Sequence, residues 1–150
     1  MKLRSRSITI LLLAFMFLGM NLTAQVINVP GKSQKHFGET YPNAKEIKWK
    51  NNVSDYVAKF KQDSHNYNAH YNIDGSWDYT EKAIDSTELP VPVKTATHNS
   101  RYADWKALSF AYVENNKKQK LYRTELKKGI SRKYVFYDES GKEVKSSTTL

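Results

Sequence analysis

Four short markers recur in the same order along the chain, and that recurrence constrains the fold more than any single motif. Val29-Pro30 returns as Leu89-Pro90 after 60 residues, and Ile47-Lys48-Trp49 returns as Leu108-Ser109-Phe110 after 61. Tyr56 to Lys61 returns as Tyr122 to Lys127, and Tyr71 to Gly75 returns as Tyr137 to Gly141, both after 66. The five extra residues fall in the stretch Glu114 to Gln119, which is polar and turn-forming, so that an insertion costs little there. The spacing predicts one unit duplicated, over residues 25–86 and 87–150, with one hairpin lengthened in the second copy.

Within each copy the local signals run in one order. An apolar-Pro pair opens a helix, since Pro is tolerated in a first turn. The first helix is predicted from Pro30 to Thr40 and the second from Val91 to Tyr102. Ser33, His36 and Thr97 stand where a packed helix prefers apolar side chains. Strands follow at Lys45 to Lys50, with Ile47 and Trp49 on one face, and at Asp55 to Lys61, with Tyr56, Ala58 and Phe60 together. From Asn66 to Ile73, Tyr67, Ala69, Tyr71 and Ile73 alternate with polar residues, the mark of a sheet with one buried and one open face. Asp74-Gly75 supplies a tight turn, and Trp77 to Thr80 begins a fourth strand. The second copy repeats the series at Lys106 to Val113, Lys120 to Lys127, Ser131 to Tyr137 and Lys142 to Ser146. The expected class is α+β: a tandem repeat of a helix plus a four-stranded antiparallel meander. Together the copies would form a curved sheet of up to eight strands with the helices on one face.

Residues 1–24 read as a secretory signal peptide. Lys2, Arg4 and Arg6 precede an uncharged apolar run from Ile8 to Met20, and Leu22-Thr23-Ala24 offers a small-residue cleavage site before Gln25. Thirteen residues are fewer than the roughly 20 that a spanning helix needs, so no stable membrane insertion is expected after cleavage. The expected address is periplasmic or secreted. Without the leader, Lys+Arg falls from 24 to 21 against 15 Asp+Glu, and the net charge falls from +9 to +6. These cations are scattered, which suits a solvated surface or attraction to an acidic partner rather than nucleic acid. The chain has no Cys, so no disulfide supports the fold and thiol chemistry is excluded.

Val29-Pro30, Phe37, Tyr41-Pro42-Asn43-Ala44, Ile47 and Trp49 resemble the opening of a PepSY-like repeat. The Tyr56-x-Ala58-x-Phe60 strand, the Tyr71-Asn72-x-Asp74-Gly75-x-Trp77 turn and the restart at Leu89-Pro90 continue the likeness. The group is the PepSY-like, β-lactamase-inhibitor-protein-like (BLIP-like) family of exported proteins abundant in Bacteroidetes. The resemblance implies helices backing one concave sheet, a periplasmic or secreted location, and a role in binding or inhibiting another protein.

Signatures of catalysis are lacking in the sequence: it has no Gly-rich phosphate loop, no G-x-S-x-G elbow and no H-E-x-x-H pair. His36, His65, His70 and His98 lack metal-ligand spacing, and Asp63, Asp74 and Asp78 lack the register of a calcium loop. No enzyme activity, cofactor or metal is expected.

Aromatic residues make up 13% of the chain. Trp49, Tyr56, Phe60, Tyr71 and Tyr137 fit the buried face. Tyr134 and Phe136 alternate with Val135 and Tyr137 and so fall on the open one. His70, Lys59 and Arg123, with Glu125, share that open face, and Trp77 and Tyr79 join the set if the turn before them keeps the register. These aromatics serve either as half-exposed structural rings or as a protein-binding surface, for which Tyr, Trp and Arg are the favoured residues. The leading expectation is a binding module that inhibits or regulates an envelope hydrolase, with an envelope or extracellular protein as partner. The alternative is a basic protein held by charge on acidic lipid or polysaccharide, whose binding would fall steeply with salt.

Overall fold

A computed structural model of the chain describes residues 27–147. The signal-peptide reading and the last three residues lie outside that range. The order of elements is α1 (Gly31–Thr40), β1 (Lys45–Asn51), β2 (Asp55–Gln62), β3 (His65–Asn72) and β4 (Trp77–Ile84), then a 3-10 turn (Ser86–Glu88), α2 (Val91–Asn99), β5 (Lys106–Asn115), β6 (Lys120–Lys128), β7 (Ser131–Tyr137) and β8 (Glu143–Ser147). The eight strands form one sheet in sequence order, each antiparallel to the next. The α+β class expected from the alternating patterns is therefore observed, with both helices packed on the same face.

Each helix covers its own apolar cluster. Under α1, Phe37 meets Ala58, Phe60, Ala69 and Tyr71, with Trp49, Tyr67 and Trp77 packed around them. The Phe37 ring lies 5.0 Å from Phe60, 5.3 Å from Tyr41 and 5.5 Å from Trp49. Such ring pairs add ~0.5–1.5 kcal/mol each beyond their buried area. Under α2 the buried cluster mixes aliphatic and aromatic side chains: Val93 meets Leu89, Leu126 and Val135, with Tyr102 and Tyr137 at its sides.

The polar residues of α1 have specific tasks. Ser33 is fully buried, and its hydroxyl donates to the carbonyl of Gly75 at 3.2 Å. This bond ties the helix to the β3–β4 turn. Gly75 has φ +82°, and a Cβ there would lie 2.9 Å from Pro30 Cβ. Gly141, at φ +84° in the β7–β8 turn, sits so close to α2 that a Cβ would be 2.5 Å from the Pro92 carbonyl oxygen. These turns thus dock against the helix starts as well as reversing the chain. His36 stacks on Trp77 at 5.5 Å, with Nδ1 3.1 Å from the Tyr71 hydroxyl. Burial holds the imidazole below its ordinary pKa and pushes the Tyr71 phenol up. Tyr71 and His36 thus share a hydrogen bond beneath α1, and the other ring nitrogen, Nε2, lies 3.4 Å from Thr40 Oγ1.

Helix α2 ends at Asn99, three residues short of the expected Tyr102. Ser100 is extended, its hydroxyl donates to the Thr97 carbonyl, and its Oγ accepts from the Tyr102 amide. The side chain thus competes with the next helical turn.

Strand faces follow the alternation except at four bulges. In β1 the register slips between Lys45 and Lys48, with Glu46 at φ +53°, and Ile47 is left 46% exposed rather than sharing the buried face of Trp49. In β5 the slip falls between Ala107 and Ser109 and exposes Leu108. In β4 Asp78 is the extra residue, and in β8 Val144 is. Ile73, expected at the end of β3, is exposed in the turn beyond it.

Candidate protein-binding face

The sheet face opposite the helices is where most of the candidate residues meet. Cross-strand pairing runs Val57 to His70 to Tyr79, Lys59 to Asn68 to Glu81 to Val113, and Ala83 to Ala111 to Arg123 to Phe136 to Lys145. Tyr134 pairs with Glu125 and Ser147 on the same face. Pairing therefore brings Lys59, His70, Tyr79, Arg123, Tyr134 and Phe136 onto one surface.

Trp77 is the exception. His70 pairs with Tyr79 and Tyr71 with Trp77, so β4 carries one residue more than β3 between these pairs. This bulge turns Trp77 to the helix side while leaving Tyr79 on the other. The Trp77 indole N–H donates to Thr80 Oγ1 at 2.9 Å, and the ring packs in the α1 cluster. Its inclusion among the candidates is corrected on this ground.

The centre of the surface is a buried ion pair. Glu81 is 2% and Arg123 7% exposed, although neither α1 nor α2 covers this side. Arg123 Nε donates to Glu81 Oε1 at 2.8 Å and Nη2 reaches Oε2 at 3.4 Å. They stand on β4 and β6 and meet across β5, where Ala111 is small enough to let them pass. The Arg123 guanidinium lies 5.4 Å from the Tyr134 ring centre, and Nη1 is buried without a hydrogen-bond partner among the described residues. Next to it Lys145 Nζ stands 5.6 Å over Phe136. Glu125 accepts from Ser109 Oγ at 2.8 Å and from Arg132.

On the β2–β4 side His70 stacks on Tyr79 with centroids 4.2 Å apart, and its Nδ1 lies 2.8 Å from Asp55 Oδ2. Burial, then the nearby carboxylates of Glu81, Asp55 and Asp78, push the Tyr79 phenol up, so it stays a neutral hydroxyl. Lys59 is exposed.

Glu81, Asp55 and Lys145 were not among the residues singled out from sequence. Glu81 follows Tyr79 at strand spacing and was open to the same alternation argument, had the bulge at Asp78 been visible. Asp55 is the first residue of β2, so its face depends on where that strand begins. No group of three or more His, Cys, Asp or Glu able to hold a metal is found among the described residues.

Residues 54–144, more than half of the chain, match the family model described as "Putative beta-lactamase-inhibitor-like, PepSY-like". The chain belongs to this PepSY-like family. Solved structures with the same fold include a DUF2874 family protein from Bacteroides ovatus ATCC 8483, with a TM-score of 0.69 and 25% identity over 81% of this chain and 88% of that one. A BLIP-like protein from Bacteroides fragilis NCTC 9343 has a TM-score of 0.68 and 23% identity, covering 82% of this chain and 88% of its own. A protein from Bacteroides eggerthii DSM 20697, described as "putative periplasmic", has a TM-score of 0.68 and 19% identity, over 79% and 88%. No curated protein matches the chain in sequence. Among the described residues of this PepSY-like chain, no helix is long and apolar enough to cross a membrane.

Proposed function

We propose that this chain is an exported, non-catalytic module that binds a protein partner on the helix-free face of its sheet and thereby inhibits or regulates an envelope hydrolase. The observation that carries the reading is the run Glu81, Arg123, Tyr134, Phe136 and Lys145. Here two aromatic rings and one lysine surround a buried ion pair on a side that no element among the described residues covers. Rings backed by a fixed charge pair make good anchors, because little side-chain freedom is lost on docking. The unpartnered Arg123 Nη1 adds a donor whose isolation costs about 1–3 kcal/mol, and an acceptor from a partner would relieve it. Membership of a beta-lactamase-inhibitor-like family supports the same reading.

Export by cleavage after Ala24 is part of this proposal, as is duplication of one unit over residues 25–86 and 87–150. The element order of a helix followed by four strands occurs in both halves. Each half also has one bulge in its first strand and one in its fourth, which favours the duplication.

The test is capture from an envelope extract by tagged residues 25–150, comparing wild type with Tyr134→Ala/Phe136→Ala at low and high salt. A protein held by wild type at high salt and lost by the double variant is the expected result. Equal capture by both would remove this face from the account. Loss of all capture at high salt would point to adhesion by charge.

A further inference from the structure

A second site lies on the opposite side of the sheet, beneath α2. A cleft of about 500 Å3 opens there, with Leu89, Tyr102, Trp105, Phe110 and Leu126 among its lining. Its origin is visible in the two helices. The seventh residue of α1 is Phe37, whose ring fills the space over Phe60 and Trp49. The seventh residue of α2 is Thr97, which lines the cleft, and the facing strand offers Leu126. The space that a ring occupies under α1 is therefore open under α2. A volume of this size falls within the roughly 300–1,000 Å3 of small-molecule pockets, which combine apolar walls with a few placed polar groups.

The fixed charge here is a single cation, Lys94. Lys94 and His98 stand among the lining residues, which include no Asp or Glu. Lys94 Nζ donates to the Thr87 carbonyl at 3.1 Å and makes no ion pair among the described residues. Asp85, outside the lining, accepts from the Thr87 amide and the Ser86 hydroxyl, with the charge of Lys94 as a weaker influence on it. The Trp105 indole N–H donates no hydrogen bond among the described residues, although the residue is half-buried.

We infer that this cleft binds a small amphipathic monocarboxylate, with its apolar body against Trp105, Phe110 and Leu126 and its carboxylate at Lys94. The occupant follows from charge and shape. An apolar floor excludes a fully hydrated anion, and a cationic rim without carboxylates disfavours an amine. The site is independent of the partner-binding face, which lies across the sheet.

The test is titration of residues 25–150 with decanoate and with the uncharged 1-decanol, followed by amide and indole NMR shifts and by calorimetry. Decanoate is expected to shift the Trp105 indole and the amides of Lys94 and Thr97, and to bind about tenfold more tightly than decanol. Lys94→Met should remove that difference, and Thr97→Phe should weaken both ligands at least tenfold by placing a ring where Phe37 sits in α1. Ala107→Trp, at an exposed position on the cleft wall, serves as a second block should Thr97→Phe fail to fold. Absence of shifts at Trp105 up to the solubility limit would overturn the site, as would undiminished binding in a folded blocking variant. Equal affinity for decanoate and decanol would overturn its assignment to carboxylates.

Discussion

Replacing Glu81 with Leu while keeping Arg123 would leave a guanidinium buried on the helix-free face with no counter-charge. The pair is 2% and 7% exposed with its shorter bond at 2.8 Å, so solvent screening offers little relief. Removing one member of such a pair costs about 3–5 kcal/mol, whereas replacing both with apolar residues of similar size is often neutral or stabilising. A domain of ordinary stability has roughly 5–15 kcal/mol in total, so the single variant should be weakened but foldable. With a urea slope of about 1–3 kcal/mol/M, the unfolding midpoint should fall by ~2 M in Glu81→Leu. It should return to near the wild-type value in Glu81→Leu/Arg123→Met. Chemical denaturation followed by circular dichroism, arranged as a double-mutant cycle, measures the coupling directly. A loss below ~1 kcal/mol in the single variant would refute the reasoning, because it would place the pair in solvent rather than in a dry centre. The same cycle bears on function. If the charge pair anchors a partner, the doubly apolar variant should fold well and bind poorly.

Two further outcomes follow from local geometry. Gly141→Ala combines a positive φ with a Cβ 2.5 Å from the Pro92 carbonyl oxygen, and should destabilise by ~2 kcal/mol or more. Gly129→Ala, at φ +58° with open space around it, should lose only about 1 kcal/mol, and urea midpoints compare the two. His36 is held below its ordinary pKa of 6.5 in the folded state, so the unfolded chain takes up the proton first as pH falls. Its contribution is present above pH 6.5 and is lost as pH falls from there through the lowered folded value. Replacing His36 with Gln should flatten the loss of stability below pH 6.5 relative to wild type, and an unchanged pH slope would contradict this assignment.

Much of the fold was legible because it rests on period-two alternation, which Tyr67, Ala69 and Tyr71 display without ambiguity. The open face was legible for the same reason: Arg123, Tyr134 and Phe136 lie in regular stretches of β6 and β7, where parity fixes the side. Alternation failed at bulges. Asp78 exchanges the faces on either side of it, so Trp77 and Tyr79 could not both be placed correctly from sequence. Ile47 reads as core by hydrophobicity and is exposed because the backbone slips beside it. Ser33 and His36 looked like flaws in an amphipathic helix. Their reasons lie in long-range contacts, the Gly75 carbonyl and the Tyr71 hydroxyl, which no local pattern encodes. Thr97 looked like a similar flaw, and in the fold it corresponds to open volume.

The central claim, that a protein partner docks on the helix-free face, is tested most directly by site-specific photo-crosslinking. A benzophenone amino acid would replace Phe136 in one variant and Lys35, on the exposed side of α1, in another. Both would be irradiated in the same envelope extract. The account predicts one discrete cross-linked protein from position 136, suppressed by excess unlabelled wild type, and none from position 35. Competed cross-links from position 35 alone would contradict it and place the partner on the helix side.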